Sequence, residues 1–216
     1  MKILIACEES QAVTKEFRAI GHYAYSCDLY SCSGGHPEWH IKGDVSKVLN
    51  DVWDMIVSFP PCTYLTCAGN RSFSLRMNSN EKVEARIRER ERAVDFFMMF
   101  ANHTCPKVAI ENPVGYMNTF YRKPDQIIHP YYFGDNAQKR TCLWLKGLPT
   151  LLHVDPATLK KPEPLYICAG EKCKGKRINW CEGKRGIKGG QEERSKARSK
   201  TFPSIAKAMA EQWGKI

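Results

Sequence analysis

The hydrophobic positions of this chain fall into short apolar runs separated by longer amphipathic or polar stretches. Residues 2–6, with Ile3-Leu4-Ile5 at their centre, read as a first strand, and 11–20 read as a helix that ends before Gly21. Residues 23–27 read as a second strand closed by Asp28, and the Ser-, Gly- and His-rich stretch 29–43 as a loop. Asp44 then follows Gly43 near a short third strand or turn, and residues 54–58 form the next strand. Residues 63–80 lack a clear period and carry many small polar side chains, the composition of a mobile loop beside a site. The stretch 81–102 reads as a helix with a densely charged first half and an apolar second half, Ala93 to Ala101. Residues 107–110 and 141–145 are further strands, and Ile205, Met209 and Trp213 stand at helical spacing in a last helix over 202–213. Strands alternating with helices predict an α/β fold, an open and mostly parallel sheet with helices on both faces.

A length of 216 residues allows one good core with an appendage rather than two full-sized domains. Charge marks the appendage. The formal net charge is +10, and residues 160–200 alone hold 13 Lys/Arg against 5 Asp/Glu. The expected organisation is a core over 1–149, a small basic insert over 150–200 and a C-terminal helix over 201–216 that returns to the core. Nucleic-acid phosphate is the natural partner of such an asymmetry. Met1-Lys2 leads directly into Ile3-Leu4-Ile5 and then meets Glu8 and Glu9, which is not the pattern of a signal peptide. No apolar run approaches a membrane span. The ten cysteines are scattered, so reduced thiols in a cytoplasm are expected.

Chemistry is concentrated where strands stop. The run Met55 to Val57 is cut off by Pro60-Pro61, and the next side chain is the Cys62 thiol. In an α/β sheet the carboxyl edge is where ligands sit, and a thiol held there is a candidate nucleophile. Glu111 follows a second apolar run, with Asn112 and Pro113 to fix its direction. A thiolate paired with a carboxyl group suits attack on an electron-poor heterocycle. The thiol adds to a ring carbon, and the carboxyl group hydrogen-bonds a ring nitrogen. Asp28, closing the second strand, is placed to bind ribose hydroxyls, and Asp44 to approach an adenine amino group. Singly, either is more often a turn or helix cap.

Taken in order, these pieces resemble the cytosine-C5 DNA methyltransferase family, particularly its small phage-type members. Phe59-Pro60-Pro61-Cys62 resembles the nucleophile motif, Glu111-Asn112-Pro113 the Glu-Asn-Val motif, and Gly43-Asp44-Val45 a cofactor motif. Gln138-Lys139-Arg140 resembles the later Gln-x-Arg motif, and Thr201-Phe202-Pro203-Ser204 the C-terminal motif that completes the cofactor pocket. The resemblance implies a Rossmann-like S-adenosylmethionine-dependent methyltransferase fold acting on duplex DNA with a flipped-out cytosine, most simply as a monomer. It gives catalytic roles to Cys62, Glu111, Asn112 and Arg140. Cofactor contacts fall to Cys7, Glu8, Glu9, Ser10, Asp28, Asp44, Val45, Phe59 and Pro60. DNA contacts fall to Arg71 in the loop over 63–80, to Gln138 and Lys139, and to Lys172, Lys174, Lys176, Arg177 and Trp180 in the insert.

The chain departs from the family pattern in three places. The first motif, Ala6-Cys7-Glu8-Glu9-Ser10-Gln11, has no glycine; Thr63 follows the nucleophile where Gln is usual; and Cys142 replaces a second arginine. Cys168, Cys173 and Cys181 are not spaced like a familiar zinc module, so no metal is expected. Two rival functions stand beside this one: an RNA cytosine-C5 methyltransferase, and a catalytically silent methyltransferase-like nucleic-acid-binding protein. An amino-methyltransferase fits less well, because Phe59 precedes the prolines where a polar acceptor is needed.

Overall fold

The computed structural model describes residues 1–163 and 199–216, together with the backbone of two short strands, Tyr166–Ile167 and Arg177–Ile178. Seven strands form the main sheet: β1 (Lys2–Ala6), β2 (Tyr23–Asp28), β3 (His40–Lys42), β4 (Met55–Ser58), β5 (Val108–Pro113), β6 (Gln126–Ile128) and β7 (Thr141–Lys146). Their spatial order is β3-β2-β1-β4-β5-β7-β6. All neighbouring pairs are parallel except β5–β7 and β6–β7. The order is that of a doubly wound sheet, 3-2-1-4-5-6, with one antiparallel strand inserted before the last. Tyr166–Ile167 and Arg177–Ile178 (β8 and β9) pair antiparallel within the basic segment.

Four helices are described: α1 (Ala12–Ala19), α2 (Asn80–Ala101), α3 (Met117–Phe120) and α4 (Pro203–Trp213). The strand period of two divides the buried residues between two faces. Leu4, Ile56, Val108, Ile110 and Trp144 pack with Val94, Phe97 and Phe100 of α2. Ile3, Ile5, Met55, Val57, Ala109 and Leu143 pack with Val13 and Phe17 of α1 and with Ile205, Met209 and Trp213 of α4. The chain steps outward from the centre in opposite directions through α1 and α2. With one hand of crossover, that puts the two helices on opposite faces. Helices therefore cover both sides of the sheet, as the alternating pattern predicts. Among the described residues no helix is long and apolar enough to cross a membrane.

Two elements escape the sequence pattern. β6 and α3 are three and four residues long, too short to show a period. β5 also outruns its apolar stretch, because Glu111, Asn112 and Pro113 pair with Leu143, Cys142 and Thr141 of β7. The third strand, predicted near Asp44, lies just before it at His40–Lys42.

Candidate active site

Sheet register brings the candidate residues to one edge. Ala6 is level with Cys27 of β2 and Ser58 of β4, and Ser58 is level with Ile110 of β5. The residues that follow (Cys7, Asp28, Phe59 and Glu111) leave the carboxyl ends of four neighbouring parallel strands. Strand order reverses between β1 and β4, which makes their carboxyl ends the switch point where ligands bind in such sheets. Cys62 lies three residues beyond that point.

The loop carrying Cys62 is tied down on several sides. The Cys62 carbonyl accepts from Leu65 N and Thr66 N, both at 3.0 Å, which closes a turn directly after the thiol. Asn112, 1% exposed, donates from Nδ2 to the Pro60 carbonyl at 2.8 Å. A buried amide in that position holds the Pro-Pro turn against β5, so Asn112 positions the Cys62 loop rather than facing the crevice. Thr66 bridges Gly115, and Tyr116 N donates to Leu65 O at 2.7 Å. These contacts fasten the loop after β4 to the loop after β5. Only glycine fits at 115, because a Cβ there would drive into the Leu65 carbonyl.

Residues 63–80, expected as a mobile loop, hold a 3-10 helix over Cys67–Phe73 that packs on α2. Arg86 and Arg90 do the packing. The Arg90 guanidinium lies 3.4 Å over the Phe73 ring and 4.6 Å over Tyr116, while its Nε donates to the Tyr64 carbonyl at 3.0 Å. Neither arginine stands out in the sequence, where both belong to the charged half of a helix. Arg71 is exposed on the 3-10 helix, with its Nε 3.1 Å from Met77 Sδ.

Glu111 points to the other face of β5, into a narrow cleft formed with Lys139, Thr141, Phe202, Ile205 and Met209. Its Oε1 is 4.0 Å from Lys139 Nζ. Arg140 is exposed just before β7, whose Thr141 pairs with Pro113, so it belongs to the same edge. Gln138 donates to the Pro162 carbonyl at 2.9 Å, which anchors the chain entering the basic segment. Ser204 donates through both N and Oγ to Asp135, and this pins the start of α4 so that Phe202 reaches the Glu111 cleft.

The turn between β1 and α1 needs no glycine to take a glycine-like path. Cys7 (φ 61°) and Gln11 (φ 56°) both adopt left-handed backbone conformations, bracketing Glu8-Glu9-Ser10. Gln11 is fully buried and is fixed by bonds to and from His36, with its Nε2 2.7 Å from the His36 carbonyl. The Glu8 carboxyl turns inward and caps α1, accepting from Val13 N at 2.7 Å, Thr14 N at 3.2 Å and Thr14 Oγ1 at 2.7 Å. Both of its oxygens are thus engaged by α1, and burial still pushes its pKa above the usual carboxylate range. Ser10 is half-buried beside this turn.

Carboxylates gather around the Cys7 thiol. Burial first, then Asp28, Cys27 and Asp44, push the Cys7 pKa far above that of a free thiol, which disfavours its thiolate. Asp28 is itself raised, by burial and by the neighbouring Glu9. Asp44 caps the short 3-10 helix Val45–Lys47 by accepting from Ser46 N at 2.9 Å, and Val45 anchors that helix in the core at 4% exposure. Among the described residues, no group of three or more His, Cys, Asp or Glu is arranged to hold a metal ion. Cys168, Cys173, Cys181, Lys172, Lys174, Lys176 and Trp180, and the side chain of Arg177, lie outside the described residues.

No family model matches this chain, and no curated protein matches it.

Proposed function

We propose that this chain transfers a methyl group from S-adenosylmethionine to C5 of a flipped cytosine in DNA, as a member of the cytosine-C5 methyltransferase family on a Rossmann-like methyltransferase fold. One observation carries the reading. The Cys62 thiol follows the carboxyl end of β4, beside the switch point, the Glu111 carboxyl group lies in the carboxyl half of the neighbouring parallel strand β5, and the Asn112–Pro60 hydrogen bond ties that strand to the Cys62 loop.

The residues at the ends of β1 to β4 fit the cofactor. Left-handed residues at Cys7 and Gln11 open the turn that would hold the methionine part. Glu9, Asp28 and Asp44 supply negative charge for its ammonium and sulfonium groups. Asp28 is the group for the ribose hydroxyls and Asp44 for the adenine amino group, with Phe59 and Pro60 as the wall on the β4 side. When bound, S-adenosylmethionine supplies an electrophilic methyl group.

The protein's own part is covalent and acid–base. The Cys62 thiolate adds to C6 of the cytosine while Glu111 donates a proton to N3, and the ring electrons collect at C5. After C5 is methylated, its proton leaves to a base and the C6–S bond breaks. That restores the ring double bond and the Cys62 thiolate, and N3 returns its proton to Glu111. Lys139 Nζ lies 4.0 Å from Glu111 Oε1 and helps to hold that side chain in the cleft, and Arg140 holds the base carbonyl or a neighbouring phosphate. Extruding the base makes these atoms accessible.

The test is methyl transfer to duplex DNA from labelled S-adenosylmethionine, comparing wild type with Cys62→Ala. The expected result is label at cytosine C5 that disappears in the variant, and covalent trapping of wild type by 5-fluorocytosine DNA. Equal DNA binding by both proteins, with neither transfer nor trapping, would mean a silent nucleic-acid-binding protein. Label in RNA alone would make the substrate RNA.

A further inference from the structure

Arg86 and Arg90 are four residues apart on α2, so their side chains leave the same face of the helix. Both reach the residues that directly follow Cys62. Arg86 donates to the Thr63 carbonyl at 3.4 Å, and Arg90 donates to the Tyr64 carbonyl at 3.0 Å and to Asn70 Oδ1 at 3.1 Å. Each guanidinium also lies over aromatic rings: Arg86 over Tyr64 and Phe73, both at 5.0 Å, and Arg90 over Phe73 and Tyr116.

These contacts do not balance the charge. Among the described residues no carboxylate comes within ion-pair distance of either arginine. Burial chiefly lowers the pKa of Arg90, and the neighbouring Arg86 cation lowers it further. Donors are also in surplus. A guanidinium carries five N–H groups, and the three bonds above engage only a minority of the ten. Among the described residues the buried Arg86 Nε has no hydrogen-bond partner. Two partly buried, adjacent cations with spare fork-shaped donors and no counter-ion form a site for an anion with several oxygens.

We infer that the Arg86–Arg90 pair binds a backbone phosphate of the DNA strand carrying the target base, and this inference rests on the function proposed above. The anchor is local to the chemistry. The same guanidinium groups hold the carbonyls of Thr63 and Tyr64, one and two residues after the nucleophile. Phosphate binding and placement of the Cys62 loop are therefore coupled through shared donors.

The test is duplex-DNA affinity across a salt series for wild type, Arg86→Met/Arg90→Met and Arg86→Lys/Arg90→Lys, with thermal midpoints measured in parallel. Each phosphate contact contributes about 0.9 to the slope of log K against log salt. The methionine variant is expected to lose about one unit of slope, and the lysine variant to keep the slope because its charge remains. Single Arg86→Gln and Arg90→Gln variants carry the same comparison if the double methionine variant does not fold. A lowered thermal midpoint with an unchanged salt slope would overturn the inference and leave a purely structural clamp. Wild type that neither binds duplex DNA nor transfers methyl would instead remove the function on which the inference rests.

Discussion

The Asn112 side chain donates to the Pro60 carbonyl at 2.8 Å across 52 residues of sequence. The bond is buried and joins the end of β5 to the turn that presents Cys62. It converts two strand ends into one rigid frame. Nothing in either motif read separately announces that pairing.

Asn112→Ala is expected to strand the Pro60 carbonyl without a donor, at a cost of roughly 1–3 kcal/mol. Urea unfolding measures that cost. Under the proposed function the same variant loses methyl transfer far more than DNA affinity, because the Cys62 loop is no longer fixed. Unchanged stability together with unchanged turnover would show that the bond positions nothing.

Gly115→Ala tests the seam between the two loops. The added methyl group meets the Leu65 carbonyl, so the Thr66–Gly115 bridge has to open. Overpacking of this kind costs about 1–3 kcal/mol. Amide hydrogen exchange is the direct measurement, with Tyr116 N and Cys67 N expected to lose protection because their acceptors lie on the opposite loop.

Glu8 gives a pH-dependent expectation with a definite sign. Burial is the largest influence on it and outweighs the three hydrogen bonds from α1, so its pKa is raised in the folded state. Folding then favours the protonated form. The contribution of Glu8 to stability is full below its unfolded pKa, near the usual glutamate value, and declines as pH rises through the folded pKa. Denaturant unfolding of wild type and Glu8→Gln across this range should show the difference between them changing with pH. In the variant, this group's share of the slope is absent. A difference that stays constant with pH would mean that Glu8 ionises in the fold as it does in the unfolded chain.

The elements with chemistry at their ends were legible in the sequence for a simple reason. Cys62 and Glu111 each follow an apolar run that stops abruptly, and a stopped buried strand in an α/β chain marks the carboxyl edge. Glu8 was not legible, since an inward capping carboxyl and an outward ligand-binding one are written identically. The glycine-free turn is a similar case. Its composition argues against a tight ligand-binding turn, yet packing imposes left-handed conformations on Cys7 and Gln11, with bonds to His36 holding Gln11 in place. Arg86 and Arg90 read as a solvated helix face because the rings and carbonyls that engage them come from loops with no periodic signal.

By itself, the sequence determined the alternation of strands and helices, the two apolar faces of the sheet and the side chains that end its central strands. Those features depend on the local period and on chain breakers, which neighbouring residues specify. Tertiary structure alone decided the strand order, the insertion of β7 beside β5, the pairing of Asn112 with Pro60 and the convergence of Asp28 and Asp44 around Cys7. Each of these depends on groups far apart in the chain that meet only when burial of the two apolar faces brings them together.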